Sequence, residues 1–397
     1  MIILYEILSF IIYSCSFFPL MIYLFFTGKI SKIKDYLLLQ KKISKEKSVL
    51  FHCVSVGECS TILDFVKLFS QKIIVTTTCG EVFSFLEKKN SNIHVVMLPP
   101  DFFYMMKRLL KIYQVEVVFI SEVDYWPNLI LASSNLNIPV IILNGRMSDR
   151  TFEIYSKLNF FVKKIFQKIT YVFPQNGNEL TKFKKFLPAR KIINLGNMKF
   201  GNLKQSINTG KLCMVAGSTH WPEEKFLIDA AATGGIKMYI APRNMTYIEK
   251  IKKYIEEKNL TYSLYSEGKS DENIVIVDVY GVLDELYSKA SAAYIGGGFT
   301  KTGVHNFLEA ACYSIPFITG KNVKNFKSVI YPFVKENCCV IVDNVEHISD
   351  IVLKICNQVA GDSMIMKKKI ERIFLYSNGA SFKIKKFLDN SFNNEKN

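Results

Sequence analysis

Residues 212–224 read LCMVAGSTHWPEE, and this stretch decides the fold class. Its apolar start, 212–216, is typical of a buried strand, and Gly217, Ser218 and Thr219 follow before a helix predicted over Glu223–Ala231. In parallel sheets, ligands bind beyond the carboxyl ends of the strands. The free N–H groups that open a helix suit a phosphate, although the two hydroxyl side chains could equally serve only as helix caps.

Apolar strands alternate with amphipathic helices on both sides of this stretch. In the first half the predicted strands are Ser48–Val54, Lys72–Thr76, Ile93–Met97, Val115–Ile120, Pro139–Leu143 and Tyr171–Phe173. In the second half they are Leu212–Ala216, Lys237–Ala241, Asn273–Val277, Ala292–Ile295 and Pro316–Thr319. Continuous Val/Ile runs separated by helices predict parallel sheets covered on both faces. The polar segment 201–210 divides the two sets, so we expect two doubly wound α/β domains that meet near residue 205 and face a cleft.

The chain has 397 residues and a formal net charge of +16, with 51 Lys+Arg and 35 Asp+Glu. Such a charge favours anionic surfaces and phosphorylated ligands, but the Lys residues are dispersed, so we expect no nucleic-acid partner. Nine cysteines without a CxxC pair predict a reduced protein rather than a disulfide scaffold. Five histidines without HxxxH spacing predict no metal site.

The N-terminus carries an uncharged apolar run from Ile7 to Gly28, long enough to span a bilayer. Seven lysines follow within a short distance: Lys29, Lys32, Lys34, Lys41, Lys42, Lys45 and Lys47. Because positive flanks stay cytoplasmic, we expect residues 1–28 to anchor the protein in the inner membrane, with the body on the cytoplasmic side against the anionic leaflet. Pro19 leaves room for a monotopic anchor, and a buried helix of the first domain is the alternative.

Two strand ends in the first half carry candidate catalytic groups. The first strand runs into Ser55, Gly57 and Glu58, where Gly57 would allow a tight turn and Glu58 could act as a general base or only complement the helix dipole. A later strand leads into Glu122 and Asp124 before a Trp-Pro-Asn segment. Two carboxylates at one strand end indicate a reactive site.

Arginine is rare in this chain, so arginines at strand ends are informative. Arg146 and Arg150 follow one strand of the first half, and Arg243 follows Pro242 in the second half. Arginine holds two oxygens of an anion at once, which points to anionic ligands, with local ion pairs as the alternative. Asn306 and Glu309 lie one helical turn apart behind the Gly296–Gly298 triplet, which would let a ligand approach the backbone closely.

Taken in order, the motifs resemble those of the Kdo (3-deoxy-D-manno-octulosonic acid) transferases of lipopolysaccharide synthesis. The landmarks are SVGE, the acidic segment before WPN, NGRMS, GNMKF, GSTHWPEE, APRN, VDVYGVLDELY, IGGGF and HNFLEAA. The resemblance extends to about residue 385. It implies a two-domain GT-B glycosyltransferase that inverts the anomeric centre, with CMP-Kdo as donor, a lipid A precursor (lipid IVA) as acceptor and no cofactor. The implied domains are 1–28 (anchor), 29–204 (acceptor side), 205–388 (donor side) and 389–397 (tail).

The resemblance also implies residue roles. Glu58 matches the family's proton acceptor, and Glu122 and Lys199 match its transition-state stabilisers. Donor contacts are implied for Ser218, Thr219, Pro242, Arg243, Gly281, Val282, Leu283, Asn306, Phe307, Leu308 and Glu309. Acceptor or cleft positions are Ser55, Gly57, Asp124 and Arg146.

The chain departs from the family pattern at three of these positions. Asn244 stands where His is usual, Val282 where Glu is usual, and Asp124 where a second Glu is usual. Two other functions therefore stay open: another GT-B enzyme such as a UDP-sugar transferase or epimerase, and a non-catalytic, membrane-tethered protein that binds sugar nucleotides or lipids.

Overall fold

The computed structural model describes residues 43–89, 93–207, 212–268, 272–377 and 379–394. The chain divides into two compact units, Met1–Lys199 together with Gly379–Asn397, and Phe200–Asn378. The predicted anchor, residues 1–28, lies outside the described residues. Among the helices that are described, none is long and apolar enough to cross a membrane.

The first unit is built on a six-stranded parallel sheet with the order β3-β2-β1-β4-β5-β6. Its strands are β1 Ser48–His52, β2 Lys72–Thr77, β3 Ile93–Met97, β4 Val115–Ser121, β5 Val140–Gly145 and β6 Tyr171–Pro174. All five residues of β1 and all six of β5 are buried, because helices cover both faces of the sheet. This is the doubly wound order predicted from the alternating pattern, and the order reverses between β1 and β4, where such sheets bind ligands.

Eight helices of the first unit are described. They are α1 Val56–Val66, α2 Gly80–Lys89, α3 Phe103–Ile112, α4 Pro127–Asn135, α5 Asp149–Lys157, α6 Asn159–Phe166, α7 Gly177–Lys184 and the C-terminal α14 Ala380–Asn394. Two hydrophobic clusters form the core on the two faces of the sheet. Helices α5 and α6 are separated only by Leu158, where α5 ends and α6 begins.

The second unit has a seven-stranded parallel sheet with the order β13-β12-β11-β7-β8-β10-β9. The strands are β7 Cys213–Thr219, β8 Lys237–Pro242, β9 Ser263–Leu264, β10 Ile274–Ile276, β11 Ala292–Ile295, β12 Phe317–Gly320 and β13 Cys339–Val342. The helices are α8 Glu223–Gly234, α9 Ile248–Glu257, α10 Leu283–Lys289, α11 Leu308–Ala311, α12 Lys327–Lys335 and α13 Ile348–Ser377, which has a kink at Asp362. The sequence analysis did not predict β9 and β13, the two edge strands.

The division of the chain differs from the predicted one. The second unit begins at Phe200 rather than near residue 205, and it ends at Asn378 rather than at residue 388. The segment predicted as a tail from Asp389 is helical as far as Asn394, because α14 packs against α1 of the first unit. Three of its apolar side chains are fully buried there: Ala380, Ile384 and Leu388.

Candidate active site

Glu58 lies in the first turn of α1, directly after the carboxyl end of β1. The Ser55 hydroxyl caps this helix by accepting a hydrogen bond from the Glu58 N–H at 3.2 Å. Gly57, expected to permit a tight turn, is a helical residue with room for a Cβ. The turn from strand to helix therefore does not depend on a conformation that only glycine adopts, as was predicted for Gly57. The helix cap at Ser55 makes this turn instead.

The Glu58 carboxylate is buried, with 7% of the residue exposed. Its Oε2 accepts a hydrogen bond of 2.9 Å from the Val54 N–H, which fixes the side chain over the end of the strand. Burial, with smaller contributions from the negative charges of Glu122 and Asp124, raises the pKa of Glu58 to about 7. A carboxyl group with this pKa changes its protonation state near neutral pH, as a general base must.

Glu122 is a deeply buried acidic residue at this edge, at 2% exposure. Its Oε1 lies 2.7 Å from the Lys199 ammonium, and its Oε2 lies 3.2 Å from the Arg146 guanidinium Nε. The Asn144 amide donates to Oε1 at 3.5 Å. Two cations on one buried carboxylate offset the cost of taking its charge out of water.

The backbone of Glu122 is held in an uncommon conformation. Its φ is 55°, in the left-handed region that non-glycine residues rarely adopt. The Glu122 N–H donates to the Leu143 carbonyl at 2.9 Å, and the Glu122 carbonyl accepts from the Tyr125 hydroxyl at 2.7 Å and from the Arg146 N–H at 3.2 Å. The surrounding contacts thus stabilise a strained backbone, as is common at functional sites.

Asp124 and Trp126 follow on the same loop. Asp124 is half-buried, and burial raises its pKa. The Trp126 indole Nε1–H donates to His52 Nε2 at 2.7 Å, while His52 Nδ1 lies 3.1 Å from the Thr76 hydroxyl. Burial lowers the pKa of His52 to about 3, so this imidazole is neutral. Sequence reasoning missed His52, although a histidine inside an apolar strand is a signal that could have found it.

The WPN segment is fixed by a second residue that sequence reasoning missed. Asp101, in the loop after β3, accepts hydrogen bonds of 3.2 Å from the N–H groups of Asn128 and Leu129, in the first turn of α4. Pro127 begins that helix, a position that suits proline because its missing N–H would have no partner there. The structure therefore gathers the predicted Ser55, Glu58, Glu122, Arg146 and Lys199, with Asp124 near enough to Glu58 to raise its pKa, at one edge of the first unit.

In the second unit, the glycine triplet has a different role from the one expected. A Cβ on Gly296 would lie 2.2 Å from the Ser218 carbonyl oxygen, and a Cβ on Gly298 would lie 2.4 Å from the Gly320 nitrogen. The space beside these two glycines is therefore filled by neighbouring strand ends of the same chain. The triplet permits close packing of β7, β11 and β12, and the prediction that it admits a ligand to the backbone was wrong for both positions.

Two N–H groups of the helix start that was expected to bind a phosphate have partners within the protein, since the Glu223 N–H donates to the His220 carbonyl at 2.8 Å and the Lys225 N–H to the Pro222 carbonyl at 3.1 Å. Two further N–H groups beside this helix start are also occupied. The buried Glu223 carboxylate accepts from the His220 N–H at 2.9 Å and from the Gly297 N–H at 3.1 Å. Burial raises the pKa of Glu223 to about 7. Thr219, predicted to contact the donor, is fully buried, so its hydroxyl cannot touch a ligand at the surface, whereas Ser218 is partly exposed.

The remaining donor residues fall into exposed and buried groups. Arg243, Gly281, Asn306 and Glu309 are exposed, and the Asn306 amide donates to Glu309 Oε1 at 3.1 Å. Val282 and Leu283 begin α10 and are partly buried. The buried ones are Pro242, Phe307 and Leu308. Phe307 stacks on Phe317 with ring centroids 4.7 Å apart, so its side chain belongs to the core and a donor contact there would fall on the backbone.

Comparison with known proteins agrees with the predicted resemblance. Residues 31–202 match the family described as 3-deoxy-D-manno-octulosonic-acid transferase (kdotransferase). The 3-deoxy-D-manno-octulosonic acid transferase of Chlamydia trachomatis serovar A is 26% identical over 375 residues, which span 85% of this chain and 86% of that protein. Residues 31–202 thus carry the features of a Kdo transferase domain, and the chain as a whole is similar to Kdo transferases. A bifunctional glycosyltransferase/methyltransferase of Fusobacterium nucleatum is 30% identical over 352 residues, 81% of this chain and 55% of the relative, so this chain spans about half of that protein.

Solved structures agree on the fold. A UDP-GlcNAc 2-epimerase from Neisseria meningitidis has a TM-score of 0.56 and 11% identity, covering 86% of this chain and 99% of that one. At that identity the likeness concerns the fold alone: two α/β units with parallel sheets, as in GT-B-like proteins. Within the described residues, no group of three or more His, Cys, Asp or Glu side chains could hold a metal ion, and eight cysteines are free thiols.

Proposed function

We propose that this protein transfers Kdo from CMP-Kdo to a lipid A precursor. The observation that carries the proposal is Glu58, a buried carboxyl group with a pKa of about 7 at the edge of the first sheet. Similarity to the Kdo transferases supports the substrate class. The geometry supplies the group that would start the reaction.

Glu58 would act as the base. In this step its ionised carboxylate takes the proton of an acceptor sugar hydroxyl, which needs an oxygen within about 3 Å of that hydroxyl. Oε2 already accepts from the Val54 N–H, so the side chain is oriented before the acceptor arrives. The hydroxyl oxygen then attacks the anomeric carbon of Kdo, CMP departs with the bonding electrons, and the centre inverts.

Lys199 and Arg146 would stabilise negative charge beside this base. Both cations are held by the buried Glu122 carboxylate, so little reorganisation is needed when the transition state forms. The Arg146 side chain is 42% exposed, which leaves guanidinium N–H groups available to an anionic acceptor. Asp124, Ser55 and Gly57 line the same edge and would border the acceptor sugar.

The donor nucleotide would bind to the second unit. Arg243 and the Asn306–Glu309 pair are exposed polar groups after the carboxyl ends of β8 and β11. Gly281–Leu283 and the buried Phe307 and Leu308 would contribute backbone groups. A cleft that brings donor and acceptor together remains a prediction.

Membrane attachment is part of the proposal. Residues 1–28 would anchor the enzyme in the inner membrane, with the lysines that follow against the anionic cytoplasmic leaflet. The lipid acceptor resides in that membrane, so anchoring would raise its local concentration around Glu58.

The test is a transfer assay on the full-length protein with CMP-Kdo made in situ, lipid IVA as acceptor and products resolved by mass. Addition of Kdo mass by the wild type and its loss in Glu58→Gln are the expected results. CMP binding, measured by calorimetry, should be the same in both proteins. Product mass would also count how many Kdo residues are added.

Two results would contradict the proposal in different ways. A folded wild type that binds CMP without forming product would be a non-catalytic binder. A folded wild type that does not bind CMP would have another donor, and UDP-sugars would be tested next.

A further inference from the structure

Two histidines of the second unit form a direct pair that the proposed reaction has not used. His220 follows β7, and His305 lies in the loop between β11 and α11. Their Nε2 atoms are 2.9 Å apart, and the rings are parallel within 2° with centroids 5.2 Å apart. At that distance one imidazole donates its Nε2–H and the other accepts, so the two rings share a proton.

The pair is half-buried at the edge where the sheet ends, and its charged surroundings are defined. Arg243 lies near both rings and disfavours their protonation, and it also interacts with Glu309. Glu223 approaches from α8, but its carboxylate accepts from the N–H groups of His220 and Gly297. Burial, the neighbouring His220 and the Arg243 charge lower the pKa of His305 to about 4, and burial and Arg243 also lower the pKa of His220. The pair is therefore neutral at pH 7.

Backbone N–H groups at this edge are partly occupied, which favours side chains as the groups that recognise an anion. The N–H groups of His220 and Gly297 already donate to Glu223, and Gly296 and Gly298 pack against neighbouring backbone. Arg243 is a permanent cation, and the histidine pair can accept one further proton. Protonation would turn the Nε2–Nε2 contact into a charge-assisted hydrogen bond, which is stronger than the neutral one.

We propose that His220 and His305 form, with Arg243, a phosphate-binding site that takes up one proton as a phosphomonoester dianion binds. The proposal rests on the proposed function and deepens it. CMP-Kdo carries a phosphodiester with one negative charge, and free CMP carries a monoester with up to two. When the glycosidic C–O bond breaks, its electrons stay on the phosphate oxygen, and the proton that the pair takes from solvent balances the added charge.

The site thereby favours the departing phosphate over the donor phosphate. Binding energy that appears only as charge develops lowers the barrier rather than tightening substrate binding. The histidine pair is then a catalytic element on the donor side, complementary to the base Glu58 on the acceptor side.

The experiment is calorimetry of CMP binding at pH 7.5 in two buffers with different ionisation enthalpies. The full chain carries Glu58→Gln throughout, so that this carboxyl group cannot contribute protons. We expect an uptake of about 0.5–1 proton per CMP bound, as for one titrating site. In His220→Gln and His305→Gln, which keep hydrogen-bonding capacity, uptake should vanish and CMP affinity should fall about tenfold. His347→Gln, at a site outside the pair, is the matched control.

A second probe separates failure of this site from failure of the proposed function. Inorganic phosphate is titrated while ¹³Cε1-labelled histidine signals are followed by NMR. Shifts of the two paired histidines towards the protonated form, absent when Arg243→Gln is introduced, support the site even if CMP does not bind. CMP binding without proton uptake, in wild type and variants alike, would overturn the histidine proposal and leave the transferase proposal standing.

Discussion

The ammonium group of Lys199 lies 2.7 Å from Oε1 of Glu122, a carboxylate that is 2% exposed. Lys199 is the last residue of Met1–Lys199, the longer of the two segments that make up the first unit. The Asn144 side chain links the same two segments, because its amide donates to Glu122 and its oxygen accepts from the N–H of Met198, the residue before Lys199. This contact therefore connects the acidic loop after β4 to the segment that leads out of the unit.

Replacement of Lys199 with Met should destabilise the first unit by about 3 kcal/mol, because it leaves a buried carboxylate with only Arg146 as its cation. The measurement is urea unfolding followed by circular dichroism. Glu122→Gln in the same chain should restore most of the lost stability without restoring turnover. Equal stability of the single and double variants would show that the pair is not coupled.

Glu58→Gln should reduce kcat by a factor of about 10²–10⁴, the usual contribution of a general base. CMP affinity should not change, because the donor residues belong to the other unit. The readout is transfer to lipid IVA under saturating donor. Glu81→Gln is the matched control, since Glu81 is an exposed glutamate in the first turn of α2, and it should retain full activity. A Glu58→Gln protein of normal activity would exclude Glu58 as the base.

The pH profile of kcat/KM should report the same carboxyl group. With a pKa of about 7, Glu58 is increasingly protonated as the pH falls, so the rate should drop about tenfold per unit below pH 7 and level off above it. Asp124→Asn removes one of the charges that raise this pKa and should shift the midpoint to lower pH. A profile unaffected by Asp124→Asn would place the titrating group elsewhere.

The strands were the part of the fold most easily predicted. Runs such as those of β3 and β11 are apolar at every or nearly every position, and their predicted bounds are confirmed. Glu58, Glu122, Arg146 and Lys199 were likewise predicted and lie together. For Glu58, Glu122 and Arg146 a local pattern, a strand end followed by a polar residue, contains the information, whereas Lys199 follows no strand end and was implied only by the resemblance to the Kdo transferases.

What the sequence did not reveal depends on contacts between distant segments. The burial of Thr219 and Phe307 follows from how strand ends and rings meet, and no local pattern reports it. The sequence of the glycine triplet would be the same whether the triplet faced a ligand or, as it does, the backbone at Ser218 and Gly320. The membership of α14 in the first unit is set by the tertiary partners of Ile384 and Leu388.

The pH dependence of stability should reflect Glu223. Burial raises its pKa from 4.5 to about 7, so between these values the folded protein binds more protons than the unfolded chain. The free energy of unfolding should therefore fall as the pH rises through this window, by about 3 kcal/mol for this group. Urea unfolding of wild type and Glu223→Gln at pH 5, 6, 7 and 8 measures it. The variant should have a smaller slope, and an unchanged slope would contradict the assignment.

Gly296→Ala should destabilise the second unit by about 3 kcal/mol, because its Cβ would overlap the Ser218 carbonyl and neither backbone can move freely. Gly361→Ala is the matched control, since a Cβ there meets nothing within 4 Å in α13. That change should be neutral or should stabilise by up to about 1 kcal/mol. Thermal unfolding compares the two, and a Gly296→Ala protein as stable as the wild type would refute the close-packing role.

The return of the chain to the first unit affects how the protein is made. The core beside α1, the helix that bears Glu58, is completed by side chains from α14, and Phe387 packs against Tyr171 and Phe173 at 5.2 and 5.8 Å. During translation every residue of the second unit is synthesised before α14. The second unit can therefore fold on the nascent chain first, and the first unit reaches its native core only after α14 has been synthesised. A premature stop directly after the second unit would thus impair the unit that bears the base, although most of that unit is synthesised first.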